Sequence, residues 1–201
     1  GGLRRSMTEH AERPSRGVDA VRHARHLRME EIGADGQARL SAAAVAVVGA
    51  GGLGCPVLLY LAAAGVGRLT VIDDDVVSLS NLQRQVIYRT EDVGRNKAEV
   101  AAQRVLDLDP NLDVHVHVTR LNPSNALALL KGHDLVIDGT DLIPARYLID
   151  DACALLDTPW IHASVHRFEG RLALFEPATG PSYRDLHPDA PPPGTVQACD
   201  E

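Results

Sequence analysis

Four glycines within six residues, Gly49, Gly51, Gly52 and Gly54, follow the apolar run "VAVV" at 45–48, and Asp73 stands nineteen residues beyond the last of them. Glycine there permits a tight turn and lets backbone approach a phosphate closely. A helix starting behind the loop would aim unpaired N–H groups and a partial positive charge at the same phosphate. A carboxylate at that distance, closing the next strand, can accept hydrogen bonds from ribose hydroxyls. This much serves a dinucleotide for redox chemistry and ATP equally well.

The residues beyond Asp73 separate the two. Asn81 and Arg84 in "SLSNLQRQ" and Lys97 in "EDVGRNKAEV" lie past the acidic strand end, where a dehydrogenase has no use for them. ATP carries about four negative charges on its phosphates, and breaking its α–β bond moves charge onto pyrophosphate, so fixed cations and donors aimed there lower the barrier. Lys97 is one of only two lysines against eighteen arginines. Either cation taken alone also fits an ordinary surface charge. In "DLVIDGTD", Asp138 and Asp141 fall at the carboxyl end of another strand, the edge where open α/β sheets bind ligands. Asp141 suits magnesium held by one or two carboxylates plus phosphate oxygens. Asp138 suits either that site or a structural task, capping the next helix or orienting the loop.

The elements that must position these groups alternate along the chain. "VAVVG", "LTVID", "VHVHV", "DLVID" and "WIHAS" have strand length, helical stretches lie between several of them, and "GRLALFEP" reads as a further strand. The expected architecture is α/β: a doubly wound, mostly parallel Rossmann-like sheet with an N-terminal helical arm. Residues 1–18 read as a tag remnant and flexible N-terminus, 19–40 as the arm, 41–177 as the adenylation domain, and 178–201 as a flexible tail or crossover loop. In the arm, Asp19 can cap one helix running through "AVRHARHLRMEEIG", with Arg22 and Arg25 on one solvated face. Cys55 is expected to pack beneath the glycine loop and Cys153 within a helix. His115 and His117 share one strand face, and with no third ligand evident they read as solvent-facing.

Composition removes other classes. The chain of 201 residues has a net charge of −7 and pI near 5.7, which offers nucleic acid no general basic footprint. Its apolar stretches are broken well before the ~20 residues that span a bilayer, and no signal-like segment opens it. Three scattered cysteines suit free thiols in a reducing compartment, so the expected location is cytoplasmic.

The stretch "VVGAGGLGCPVLLYLAAAGVGRLTVIDDDVVSLSNLQRQVIYRTEDVGRNKAE", with "DGTD" and "SVHRFEG", resembles the MoeB/ThiF adenylyltransferases, relatives of the ubiquitin-activating enzymes, from about Arg22 to Cys199. The likeness is strongest to members acting on the sulfur carriers of molybdopterin and thiamine synthesis. It implies that the C-terminal carboxylate of a ubiquitin-like carrier ending in Gly-Gly attacks the α-phosphate of ATP, giving an acyl adenylate and pyrophosphate. It also implies roles. Gly52, with Gly49, Gly51, Gly54 and the residue at 142, lies against the nucleotide, Asp73 takes the ribose, and Asn81 and Arg84 hold phosphates. Lys97 contacts the reacting end, Asp141 binds Mg2+, and Arg25 reaches the active site of a partner subunit, so a homodimer is expected.

The sequence departs from this pattern at three places. Leu142 stands where the family usually has Asn. Ser182 and Asp185 occupy the positions of a zinc-binding cysteine pair, so no structural zinc is expected and the segment from Pro181 onward is expected to be mobile unless a partner packs on it. The resemblance stops at Cys199, where relatives continue with more sheet and a second cysteine pair. Cys199 matches a thiol that some relatives link covalently to the carrier, and is otherwise an idle cysteine. His162, His166 and His187 are candidates for lining the carrier groove. The alternatives to adenylation are an NAD-dependent oxidoreductase and a catalytically silent carrier-binding module.

Overall fold

The computed structural model describes residues 17–189. Helices α1 (Ala24–Arg28) and α2 (Gly33–Ala42) precede β1 (Ala44–Val48), α3 (Gly54–Ala64) and β2 (Arg68–Ile72). A long connection holding two single 3₁₀ turns, Leu79–Asn81 and Thr90–Asp92, leads to α4 (Lys97–Leu108) and β3 (Asp113–His117). Then come α5 (Ala126–Leu130), β4 (Leu135–Asp138), α6 (Ile143–Leu156), the hairpin β5 (Trp160–His166) and β6 (Glu169–Phe175), and α7 (Tyr183–Leu186).

The six strands form one sheet in the order β3-β2-β1-β4-β5-β6, parallel except for the antiparallel β5–β6 pair. The winding reverses between β1 and β4, and in such sheets that crevice takes the ligand. β1 is buried along its whole length, which is why it reads as an unbroken apolar run. Its alternate residues divide between two cores. Val45 and Val47 join Leu58, Val71 and Val105 beneath α3 and α4, while Ala46 and Val48 join Leu130, Ile149 and Trp160 beneath α5 and α6. Among the described residues no helix is long and apolar enough to cross a membrane.

The arm differs from the single helix expected. Asp19 does accept the amides of Val21 and Arg22, but α1 ends at Met29, whose ψ of 128° is extended, and α2 starts afresh at Gly33 with φ +57°. Arg22 is exposed as expected, yet it is also anchored. It donates to the Leu108 carbonyl at 2.8 Å and lies 3.9 Å from the Asp109 carboxylate, tying the arm to the end of α4. Buried Gln37 joins His26 to the Ala64 carbonyl at the end of α3.

The segment expected to be loose from Pro181 onward is docked as far as it is described. Asp150 on α6 accepts both the Trp160 indole N–H and the Tyr183 amide. Arg184 forks onto Asp151, and the Tyr183 ring packs among Tyr147, Trp160, His162 and Phe175. These contacts need neither metal nor partner. Residues 190–201, Cys199 among them, lie outside the described residues, as do 1–16.

Candidate functional site

The glycine loop sits at the reversal between β1 and β4. Gly49 has φ +90°, and a Cβ on it would stand 2.9 Å from the carbonyl carbon of Gly139, so neither turn nor packing admits a side chain. Gly54 opens α3 with its own Cβ position 2.0 Å from the Gly49 oxygen. The loops after β1 and β4 are thereby locked together. Gly52 differs, because a side chain there would first meet the Arg84 side chain, at an ordinary 3.5 Å. No side chain caps the N-terminus of the eleven-residue α3; the Cys55 amide is taken by the Gly51 carbonyl at 2.9 Å, and a helix end without a side-chain cap suits an anion.

Asp73 holds that loop in shape. One carboxylate oxygen accepts the Ala50 amide at 2.7 Å and the other the Asp75 amide at 2.8 Å. Burial pushes its carboxyl above the ordinary value, against the pull of these two amides. The Ala50 carbonyl in turn accepts the Tyr88 hydroxyl at 2.7 Å and the Cys55 thiol at 3.3 Å. Tyr88 also reaches the Lys97 carbonyl at 3.3 Å, so one phenol spans the glycine loop and the start of α4. Burial pushes the Cys55 thiol up to about 11 and Cys153 to about 12, which makes both packing residues and not nucleophiles.

The three groups expected to discriminate ATP from a dinucleotide arrive from the 79–97 connection. Asn81 is buried in its 3₁₀ turn, Arg84 is half-buried with its stem over Gly52, and Lys97 opens α4 at 4% exposure. The Lys97 ammonium donates to the Asp75 carboxylate at 2.5 Å. Burial would raise the Asp75 carboxyl, but Lys97 and the Val76 amide outweigh it and hold it below the ordinary range. The connection is fixed by Asp92, wholly buried, which accepts from the Arg89 amide, Arg95 and Arg104 at 2.7–2.9 Å. Sequence reasoning missed Asp75, Tyr88 and Asp92. For Asp75 a signal existed: three successive acids at a strand end, followed by a rare lysine.

Asp138 and Asp141 divide their tasks. Asp138 is wholly buried and binds the Thr140 amide and hydroxyl, which makes it the loop-orienting residue. Asp141 is exposed beyond it, on the loop that touches Gly49. Among the described residues no group of three or more His, Cys, Asp or Glu side chains is disposed to cage a metal. A single carboxylate beside a phosphate loop fits magnesium, which keeps most of its shell as phosphate and water oxygens. Leu142 precedes α6, partly exposed and in extended conformation, and gives that helix no side-chain cap. Ser182 and Asp185 bind each other: the aspartate accepts the Ser182 amide at 2.7 Å and hydroxyl at 2.9 Å, and the serine oxygen accepts the Asp185 amide at 3.1 Å, forming a capping box for α7.

Arg25 does not join this constellation within its own chain. It is exposed on α1, which is tied to the far ends of α3 and α4 by Gln37 and Arg22. His115 is exposed and pairs with Asp113 at 3.2 Å. His162 and His187, but not His166, line a cavity of about 200 Å³ with Arg146, Ser164, Arg171 and Tyr183. That cavity adjoins Asp138 from the β5 side, since His162 Nδ1 lies 3.0 Å from its carboxylate.

The pattern of the ThiF family matches residues 23–201. The chain is 49% identical over 187 residues to a probable adenylyltransferase/sulfurtransferase, MoeZ, of Mycobacterium tuberculosis, covering 91% of this chain and 48% of that protein. It is 48% identical over 185 residues to the sulfur carrier protein adenylyltransferase of Thermus thermophilus, covering 90% of this chain and 68% of that one. The crystal structure of E. coli MccB with ATP superposes with a TM-score of 0.75 at 27% identity, over 81% of this chain and 50% of the other. The chain thus spans about half the length of MoeZ and of MccB.

Proposed function

The chain belongs to the ThiF family, and from that premise we propose that it adenylates the C-terminal carboxylate of a small ubiquitin-like sulfur-carrier protein at the expense of ATP, releasing pyrophosphate. The observation that carries this reading is the meeting, at one sheet crevice, of a glycine loop shaped by Asp73 with Arg84 above Gly52 and buried Lys97. The names of two similar proteins, an adenylyltransferase/sulfurtransferase and a sulfur carrier protein adenylyltransferase, support the same chemistry.

In this reading the α3 amides and Gly52 receive phosphate, Asp73 offers its remaining lone pairs to the ribose, and Asn81 and Arg84 hold the triphosphate. Lys97 stabilises charge as the α–β bond breaks. Asp141 would hold Mg2+, which supplies positive charge against the phosphates. The attacking carboxylate is already ionised, so the site needs no general base; positioning and charge stabilisation suffice. Arg25 acts on a partner subunit in a cytoplasmic homodimer, and the carriers are those of molybdopterin or thiamine synthesis, ending in Gly-Gly.

Exchange of pyrophosphate into ATP, assayed with a panel of Gly-Gly carriers and with and without magnesium, tests this directly. An oxidoreductase would instead be protected against thermal unfolding by NAD. A silent binding module would capture carrier without exchange.

A further inference from the structure

The loop that presents Asp141 is held from behind by a histidine on another strand. Asp138 uses one carboxylate oxygen for the Thr140 amide at 2.9 Å and hydroxyl at 2.7 Å. Its other oxygen faces His162 Nδ1 at 3.0 Å and Arg146 Nε at 3.7 Å. The second distance is too long for a hydrogen bond, and Arg146 Nε is buried without a hydrogen-bond partner. The histidine bond is therefore the one that fixes this oxygen among the described residues. β4 and β5 pair with Asp138 directly opposite His162, so the contact is set by sheet register. Gly139, the next residue, packs on Gly49 and Gly54. The clamp thus lies between the glycine loop and Asp141.

We infer that His162 is a positioning residue, whose Nδ1–H holds the Asp138 carboxylate so that Thr140 and hence Asp141 stand where the metal–nucleotide needs them. This rests on the reading of Asp141 as the magnesium carboxylate. Without the imidazole the carboxylate oxygen opposite Thr140 faces only Arg146, at a longer reach. The carboxylate then turns toward Arg146 or toward the cavity that His162 and Arg146 share, and its bonds to Thr140 loosen. Mutating groups that orient a metal-binding side chain typically costs about 10- to 100-fold in metal affinity or activity.

The test compares His162→Ala with His162→Asn. Both remove the ring and its packing on Tyr183, but only Asn keeps an N–H close to the Nδ1 position. His162→Ala is expected to raise the magnesium concentration for half-maximal exchange by about 10- to 100-fold, to speed hydrogen exchange at the Thr140 amide, and to leave calorimetric binding of metal-free ATP unchanged. His162→Asn is expected to restore both altered values toward wild type. Equal shifts in the two variants, or a Thr140 amide as protected in His162→Ala as in wild type, would overturn the inference. Thr140→Val covers the case in which neither variant folds: it removes only the hydroxyl that Asp138 accepts, and an unchanged magnesium requirement would be equally damaging. The Thr140 amide needs neither nucleotide nor carrier. It therefore decides the inference even if wild-type protein shows no exchange, an outcome that would defeat the adenylation reading alone.

Discussion

Lys97 and Asp75 form an ion pair at 2.5 Å in which the ammonium is almost wholly enclosed while the carboxylate is half exposed. A buried ammonium needs a compensating partner, and Asp75 supplies it. In the proposed reading an entering triphosphate takes the place of Asp75 as partner of the ammonium, leaving Asp75 to solvent.

This exchange of partners predicts the behaviour of Asp75→Asn. The ligand-free variant is expected to lose about 1–3 kcal/mol, the usual range for a buried polar group left unsatisfied, and to gain more from ATP in a thermal-shift experiment than wild type gains. An equal ATP-induced shift in both proteins would show that Lys97 does not change partner.

The same pair carries a pH dependence. The Asp75 carboxyl titrates below its ordinary value in the folded protein, so it contributes stability above the unfolded value near ~3.9 and loses that contribution as pH falls through the lower folded value. Urea titrations of wild type and Asp75→Asn are expected to differ at neutral pH and to converge in acid below that window. A difference that grows on acidification would contradict the pairing.

Arg84→Ala and Asp141→Ala are each expected to cut pyrophosphate exchange by ~10²-fold or more, the size typical of losing one preorganised charge. Thermal stability should change little for exposed Asp141. A loss below tenfold in both would mean that the triphosphate lies elsewhere.

Arg25 stands away from the site of its own chain, so the action proposed for it on a partner can be isolated. Arg25→Ala mixed with Asp141→Ala is expected to recover partial activity, because one site of each mixed dimer is intact. Verified mixed dimers without activity would remove Arg25 from the mechanism.

At α7, Ser182→Ala removes the capping oxygen. It is expected to cost about 1 kcal/mol and to raise protease sensitivity near Tyr183, with no dependence on chelator. Zinc released by chelator with matching loss of stability would restore the metal account of this segment.

The crevice was legible in the sequence because its parts follow in a fixed order: β1, glycines, Asp73, then Asn81, Arg84 and Lys97. The alternation of strands and helices likewise foretold the sheet. The partners of these groups were illegible, since they are set by tertiary register. His162 meets Asp138 only because β5 lies beside β4, and Asp92 gathers Arg95 and Arg104 only once α4 has packed. Ser182 and Asp185 read as a lost metal pair because their helix is four residues long and depends on docking to Asp150, thirty-three residues upstream of Tyr183. The break between α1 and α2 was hidden in an uninterrupted polar and apolar pattern, with Gly33 the one local sign.

Adenylation of a carrier's own C-terminus is measured most directly as exchange of labelled pyrophosphate into ATP, with an intact Gly-Gly carrier and with the same carrier lacking its last glycine. Magnesium-dependent exchange is predicted with the intact carrier and none with the truncated one. Exchange that persists with the truncated carrier, or that proceeds with no carrier present, would contradict adenylation of the carrier terminus.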